Sequence, residues 1–96
     1  MSLTDGKNIL VYVETAQGAP VGPALEILAK AKELVAAKGE EVIAAILAEA
    51  PEEAAKTAVE AGADQAVIVK TAESRPEVRA AMLAKLVEKY TPSLVL

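Results

Sequence analysis

Four short aliphatic runs divide the chain, and each predicts a β-strand. Each run is four to six residues long, is dominated by Val, Ile, Leu and Ala, and lacks the polar alternation of a half-exposed strand. That pattern is typical of strands buried on both faces of a parallel sheet. The runs occupy residues 9–13, 42–47, 66–69 and 93–96.

Apolar residues between the first two runs recur at helical spacing. Within residues 24–38 they fall three or four positions apart, which predicts an amphipathic helix. Pro23 suits the first turn of this helix, and Gly39 lies where a left-handed C-cap is expected. Residues 14–23 contain two glycines and two prolines, so they predict a loop between the first strand and this helix.

Two further helices follow the second and third runs. The first of them opens at Pro51, carries acidic residues near its positive amino end and ends at Gly62. The second begins at Ser74, which with Glu77 matches a capping box, and continues to about Tyr90. Strands and helices therefore alternate along the whole chain.

The resulting order, βαβαβαβ, predicts an α/β domain with three layers around a parallel sheet. Strands that alternate with helices imply right-handed crossovers, and strands without polar alternation imply helices on both faces of the sheet. Because the chain has only 96 residues, we expect a single domain over residues 1–96.

Composition removes several classes of function. The sequence has no Cys and no His, so thiolate chemistry, iron–sulfur clusters, zinc ribbons and His-dependent triads are excluded. The net charge of −4 and the pI of about 4.8 give no electrostatic reason to bind nucleic acid or an anionic membrane. No apolar run approaches the roughly 20 residues that span a bilayer. We therefore expect a cytoplasmic protein, in which only Asp, Glu, Lys, Ser, Thr and Tyr remain as possible catalysts.

One candidate binding crevice lies at the end of the first strand. Ligands of open parallel sheets bind beyond the carboxyl ends of the strands at the switch point, which this topology places between the first and fourth strands. Glu14 and Thr15 end the first strand, and Gly18 follows in the loop. In the functional interpretation Glu14 accepts a ribose hydroxyl. In the other, the loop is solvated and its glycines serve the turns.

Other polar residues favour structural roles. Glu49, Glu52 and Glu53 could in principle hold a cation through oxygen, but their spacing fits the amino end of a helix better, so we expect no metal site. Tyr12 lies inside an apolar strand and is expected in the core. Neither GxGxxG nor GxxxxGK[ST] is present, so no phosphate-binding fingerprint applies.

Five segments in order resemble the N-terminal domain of the electron transfer flavoprotein alpha subunit. They cover nearly the whole chain, and Gly22-Pro23 departs from the family's usual residues. The segments are Asn8-Ile9-Leu10-Val11-Tyr12-Val13-Glu14, Gln17-Gly18-Ala19-Pro20-Val21, Leu25-Glu26-Ile27-Leu28 with Ala31, Gly62-Ala63-Asp64 with Val67-Ile68-Val69, and Thr91-Pro92-Ser93-Leu94-Val95-Leu96.

The resemblance implies a Rossmann-like fold of the adenine nucleotide alpha hydrolase type. It also implies an electron carrier in which this domain packs against a beta subunit and holds the assembly together. Family members bind FAD mainly in a C-terminal domain of the alpha subunit, which this chain is expected to lack. The resemblance therefore implies a subunit-association module of a heterodimer that is not an enzyme and has no catalytic residues. It also implies no cofactor in this chain and FAD in the complete protein.

Two other functions stay open for this chain, and self-association is also expected. Universal stress proteins share the fold and bind ATP with an acid at the end of the first strand, a place that Glu14 could fill. Their phosphate loop follows the fourth strand, which here is expected to end the chain at Leu96. The chain could also be a ligand-free engineered scaffold. An uncovered sheet invites self-association, which we expect through the fourth strand or the third helix.

Overall fold

A parallel four-stranded sheet forms the centre of the fold. The computed structural model describes residues 7–96. The strands of the central sheet are β1 (Ile9–Tyr12), β4 (Val42–Ala48), β5 (Gln65–Lys70) and β6 (Leu94–Val95). A small hairpin follows β1 and consists of β2 (Thr15–Ala16) and β3 (Ala19–Pro20). The helices are α1 (Gly22–Ala36), α2 (Glu52–Ala61) and α3 (Pro76–Tyr90).

The strand order of the central sheet is β5-β4-β1-β6, and every pairing is parallel. Ile9 is therefore placed between Val42 of β4 and Leu94 of β6. This arrangement confirms the predicted α/β fold with a parallel sheet. It also places the fourth strand of the central sheet beside the first, as the topology predicted.

Helices cover the two faces of the sheet unequally. Helices α1 and α2 pack on one face, where Leu28 and Ala58 join the inward side chains of β1 and β4 in the larger core cluster. Helix α3 packs on the other face against Leu10, Ile43 and Ala45, and none of its residues is fully buried. The predicted three layers are confirmed, and the α3 layer is the thinner one.

The prediction that every strand is buried on both faces holds only for the inner pair. All residues of β4 except the last are buried, and so are three of the four in β1. In β5 no residue is fully buried, and Ile68 is 46% exposed. The cause is position: β5 and β6 are the outer strands of the sheet, so each has a neighbour on one side only.

The segment predicted as a loop, residues 14–23, contains the β2–β3 hairpin and the start of α1. Gln17 and Gly18 connect the two strands with φ angles of 53° and 82°. Positive φ at both central residues is the signature of a type I′ turn, which matches the twist of a two-residue hairpin. The amide of Val21 donates to the carbonyl of Glu14 at 3.0 Å and closes the hairpin.

Two predicted helix ends are wrong in detail. The N-cap of α3 is Arg75, not Ser74, and no side chain caps the helix. The reason is Pro76, because the residue before a proline is driven out of the helical region, and Arg75 has ψ 125°. Helix α1 ends at Ala36, so Gly39, with φ 68°, serves the turn after the helix and not its C-cap. The predicted C-cap at Gly62 is confirmed.

Within residues 7–96 no helix combines the length and the apolar character needed to cross a membrane.

Candidate functional site

An open cleft lies beyond the carboxyl ends of β1, β4 and β5. Its volume is about 580 Å³. Three segments supply its walls: the end of β1 with the β2–β3 hairpin, the residues that follow β4, and the connection from β5 to α3. The lining residues are Tyr12, Glu14, Thr15, Gly18, Leu47, Ala48, Glu49, Ala50, Thr71, Ala72, Glu73, Ser74 and Arg79.

All three residues predicted for the crevice lie on this cleft. Glu14, Thr15 and Gly18 belong to its lining, although their role in binding stays a prediction. The switch point itself lies between β1 and β6, as predicted, because the strand order reverses there. The cleft does not extend to that point, since no residue of β6 belongs to its lining. The cleft lies on the other side of β1, over the ends of β4 and β5.

Arg79 of α3 holds the walls of the cleft together. One terminal nitrogen of its guanidinium donates to the carbonyl of Leu47 and to the hydroxyl of Tyr12, at 2.8 and 2.7 Å. The other donates to the carbonyl of Glu73 at 2.8 Å. These bonds tie the helix to the ends of β1 and β4 and to the β5–α3 connection. Sequence reasoning missed Arg79, because its partners lie up to 67 positions away.

Tyr12 is only half-buried and belongs to neither core cluster, so the expectation of a core residue is wrong. Its ring lies 5.9 Å from the guanidinium carbon of Arg79, and its hydroxyl accepts a hydrogen bond from that residue. Tyr12, Arg79 and Ser74 also line a neighbouring hollow of about 390 Å³. The Tyr12–Arg79 pair thus separates a polar cleft from a more apolar hollow beside α3.

The β5–α3 connection is ordered by its own polar groups. The hydroxyl of Thr71 accepts a hydrogen bond from the amide of Glu73 at 3.0 Å. The carboxylate of Glu73 forms an ion pair with Arg75, and this guanidinium lowers the pKa of Glu73 below its ordinary value. The Glu73 carboxylate therefore stays charged and paired at neutral pH.

The cleft is rich in carboxylates. Glu14 and Glu49 lie on its lining with the Arg75-paired Glu73, and Arg79 contributes one positive charge. Glu52 and Glu53 occupy the first turn of α2, as predicted for a helix amino end. Across residues 7–96 no three acidic side chains are arranged to hold a metal ion. The arrangement suits hydrogen bonding to a ligand with several hydroxyl groups better than binding of a multiply charged anion.

A second surface is apolar and lies between α1 and the outer strand β6. We call it the α1–β6 patch, and its four large aliphatic side chains are between 37% and 55% exposed. Two shallow hollows of about 460 and 630 Å³ lie along it. The residues of the patch are Ile27, Leu34, Leu94 and Leu96.

Comparison with known proteins agrees with the fold and with the five segments described above. A family model described as the electron transfer flavoprotein domain matches residues 9–96. No curated protein matches the chain. The family match runs from the first residue of β1 to the last residue of the sequence, and it confirms the resemblance that the sequence motifs carried. The chain therefore belongs to the electron transfer flavoprotein domain family.

Proposed function

We propose that this chain is the N-terminal domain of an electron transfer flavoprotein alpha subunit and acts as a subunit-association module. Family membership implies a role related to electron transfer flavoproteins, whose domains belong to electron carriers and not to enzymes. The partner in this proposal is an electron transfer flavoprotein beta subunit. The place of action is the cytoplasm.

The observation that supports docking is the α1–β6 patch. Leu34 lies in the last turn of α1 and is 55% exposed. It lines one hollow with Leu94 of β6, and Ile27 lines the other with Leu96. Full burial of an aliphatic side chain contributes about 1.5–3 kcal/mol, so covering the exposed parts of the four residues contributes about 3 kcal/mol. A contiguous apolar patch on a soluble domain is typical of a protein interaction site.

We also propose that FAD belongs to the complete protein and that this chain alone binds none. The cleft favours this view, because Glu14 and Glu49 would repel a pyrophosphate. The sequence also lacks the glycine pattern with which Rossmann-like domains approach phosphates. In the complete protein the domain positions the partner subunit and another domain holds the flavin.

The experiment mixes the chain with a beta subunit and measures the mass of the complex by size-exclusion chromatography with light scattering. We expect a complex that contains the two chains in equal numbers. Leu34→Lys should abolish it, since it places a charge on the most exposed residue of the patch. Ile68→Lys is the matched control, because Ile68 is similarly exposed but lies on β5 at the opposite edge of the sheet. No complex with the parent chain, or equal loss in both variants, would refute the docking proposal.

Titration with FAD tests the proposal about the cofactor. We expect no change in flavin absorbance or fluorescence when the isolated chain is added. Saturable binding by the chain alone would contradict the assignment to a module that lacks the flavin site.

A nucleotide held through its ribose hydroxyls is the second candidate ligand. Glu14 supports this candidate, whereas the carboxylates of the cleft disfavour a triphosphate. Glu14, Thr15 and Gly18 lie together on one cavity large enough for a small ligand. Calorimetry with AMP and ATP tests this candidate, with Glu14→Gln as the variant that should weaken binding through a ribose hydroxyl. A flat titration with both nucleotides removes it.

A further inference from the structure

The outer edge of β5 is a long, open strand edge. Strand β5 has six residues, contains no proline and pairs only with β4. Among residues 7–96 no other strand pairs with its outer side. The opposite edge strand, β6, has two residues and follows Pro92. Short edges and prolines discourage strand pairing, whereas a long apolar edge invites it, so β5 is the edge open to a further strand.

The backbone of β5 presents unpaired groups to this open side. The amide of Thr71 donates to the carbonyl of Ala48 at 2.8 Å. In a strand, the backbone groups of every second residue face the same neighbouring strand. The backbone groups of Val67 and Val69 therefore face β4, as those of Thr71 do. The groups of Ala66, Ile68 and Lys70 therefore face outward. Together they form a row of donors and acceptors of the kind that another strand completes.

Apolar side chains accompany this row. Ile68, at the centre of the edge, is 46% exposed, and Val59 of α2 is exposed to the same extent. Val59 lies seven residues after Glu52, which puts both on one flank of the helix. That flank faces β5, because Glu52 forms an ion pair with Lys70 at 3.5 Å. The open edge is thus bordered by two uncovered aliphatic residues.

The charges along the edge are self-complementary. The amino end of β5 is acidic, because the carboxylate of Glu41 lies there and accepts a hydrogen bond from the amide group of Gln65 at 3.3 Å. The neighbouring Asp64 carboxylate faces inward, where it bonds to Lys32 and to the amide of Val42. The carboxyl end carries Lys70, whose side chain is largely exposed. A second strand of the same sequence matches these charges only when it runs antiparallel. A parallel copy would place Lys70 against Lys70.

We propose that the outer edge of β5 pairs antiparallel with β5 of a second copy of this chain, forming a two-fold dimer with one continuous eight-stranded sheet. In the register centred on Val67, Lys70 of one copy reaches the amino end of β5 in the other, where Glu41 bonds to Gln65. Ile68 then lies against Ala66, and the two Val67 residues face each other at the axis. The edge that associates is that of the third strand of the central sheet, and not the fourth strand or the third helix expected from the sequence.

Sedimentation velocity across a wide range of concentrations tests the dimer. We expect a reversible monomer–dimer equilibrium, and Ile68→Lys should raise the dissociation constant by at least about tenfold. Leu34→Lys, on the α1–β6 patch, is the matched control and should leave the constant unchanged. Circular dichroism checks that both variants are folded. A parent chain that stays monomeric, or a dimer lost in Leu34→Lys and kept in Ile68→Lys, would overturn the proposal.

Disulfide trapping tests the register, because the native chain has no Cys. Facing residues in a non-hydrogen-bonded antiparallel pair have Cα atoms about 4.5 Å apart, within the range of a disulfide. Val67→Cys should therefore form a covalent dimer under mild oxidation. Val69→Cys, which is opposite Gln65 in this register, should stay a monomer on a non-reducing gel. The reverse result, or equal trapping in both variants, would rule out the register.

The two proposed interactions can be tested separately. Docking of the beta subunit depends on the α1–β6 patch and is read from a heteromeric complex. The β5 dimer is read from the chain alone. Loss of one interaction in its own variant, with the other unchanged, separates the two proposals.

Discussion

Replacing Gly62 by Ala isolates the energetic cost of one backbone conformation. Gly62 is the C-cap of α2 and has a φ of 135°, a region that side-chain-bearing residues rarely adopt. A Cβ atom at this position would lie 3.5 Å from the Cβ of Lys32 and 3.6 Å from the carbonyl oxygen of Leu28. Both are ordinary van der Waals distances, so the substitution creates strain without a collision.

The expected magnitude follows from two opposing terms. Holding a residue in a sparsely populated backbone region costs about 1–3 kcal/mol. Restricting the unfolded chain by adding a Cβ returns about 0.4–1 kcal/mol. The net loss for Gly62→Ala is therefore about 1–2 kcal/mol. In a domain of this size each kcal/mol shifts Tm by about 4–8 °C, so we expect Tm to fall by about 5–15 °C.

Gly22→Ala is the matched control for this prediction. Gly22 begins α1 and has no positive φ, and a Cβ atom added there would have no heavy atom within 4 Å beyond its own neighbours in the helix. The same added methyl group should therefore stabilise the fold by a few tenths to about 1 kcal/mol. Urea and thermal unfolding followed by circular dichroism measure both variants. A Gly62→Ala variant as stable as the parent, or equal losses at the two sites, would refute the backbone argument.

Three further changes test the packing and the polar contacts. Leu28→Ala removes a fully buried side chain between α1 and the sheet and should cost about 3–5 kcal/mol in urea unfolding. Thr91→Asn should raise stability by about 0.5–1 kcal/mol, because Thr91 has φ 40° and Asn tolerates left-handed geometry better. Asp64 bonds to Lys32 and to the amide of Val42, and these contacts lower the pKa of Asp64. The stabilisation of the fold by these contacts is present when the pH is above 3.8, the ordinary pKa of Asp64. It is lost as the pH falls through the lowered pKa of Asp64 in the folded chain. Asp64→Asn should therefore lower the free energy of unfolding by about 1 kcal/mol at pH 7. In acid the variant and the parent should have the same free energy of unfolding.

The aliphatic runs and the helical spacing were enough to predict the architecture. Strand β4 is the strongest example. Its seven residues carry no charge, so their apolar side chains are removed from water only when the strand lies between two other strands and under helices on both faces. The run at residues 66–69 of β5 is also free of polar residues, yet this strand lies at an edge of the sheet. Which strand is outermost is decided by the order of pairing in space, and that order leaves no local trace in the residues of the strand.

Only the residues of the cleft that lie next to a strand in the sequence could be predicted. Glu14, Thr15 and Gly18 could be placed because they follow a strand directly, and strand ends share one edge of the sheet. Arg79 could not, because its role depends on the carbonyl of Leu47 and the hydroxyl of Tyr12, which the fold brings together from distant positions. The Ser74 capping box failed for a local reason, since Pro76 moved the start of α3 by one residue.

The position of the two proposed interfaces decides whether they compete. Strands β5 and β6 are the outermost strands of a four-stranded sheet, so their outer edges lie about 14 Å or more apart. The β5 edge offers backbone groups and a central Ile68, whereas the α1–β6 patch offers side chains alone, with Leu34 on a helix. A second copy at β5 therefore leaves the patch open, and a beta subunit on the patch leaves β5 open. If both proposals hold, the mixture assembles into a particle with two copies of each chain, and Ile68→Lys halves that particle without releasing the beta subunit.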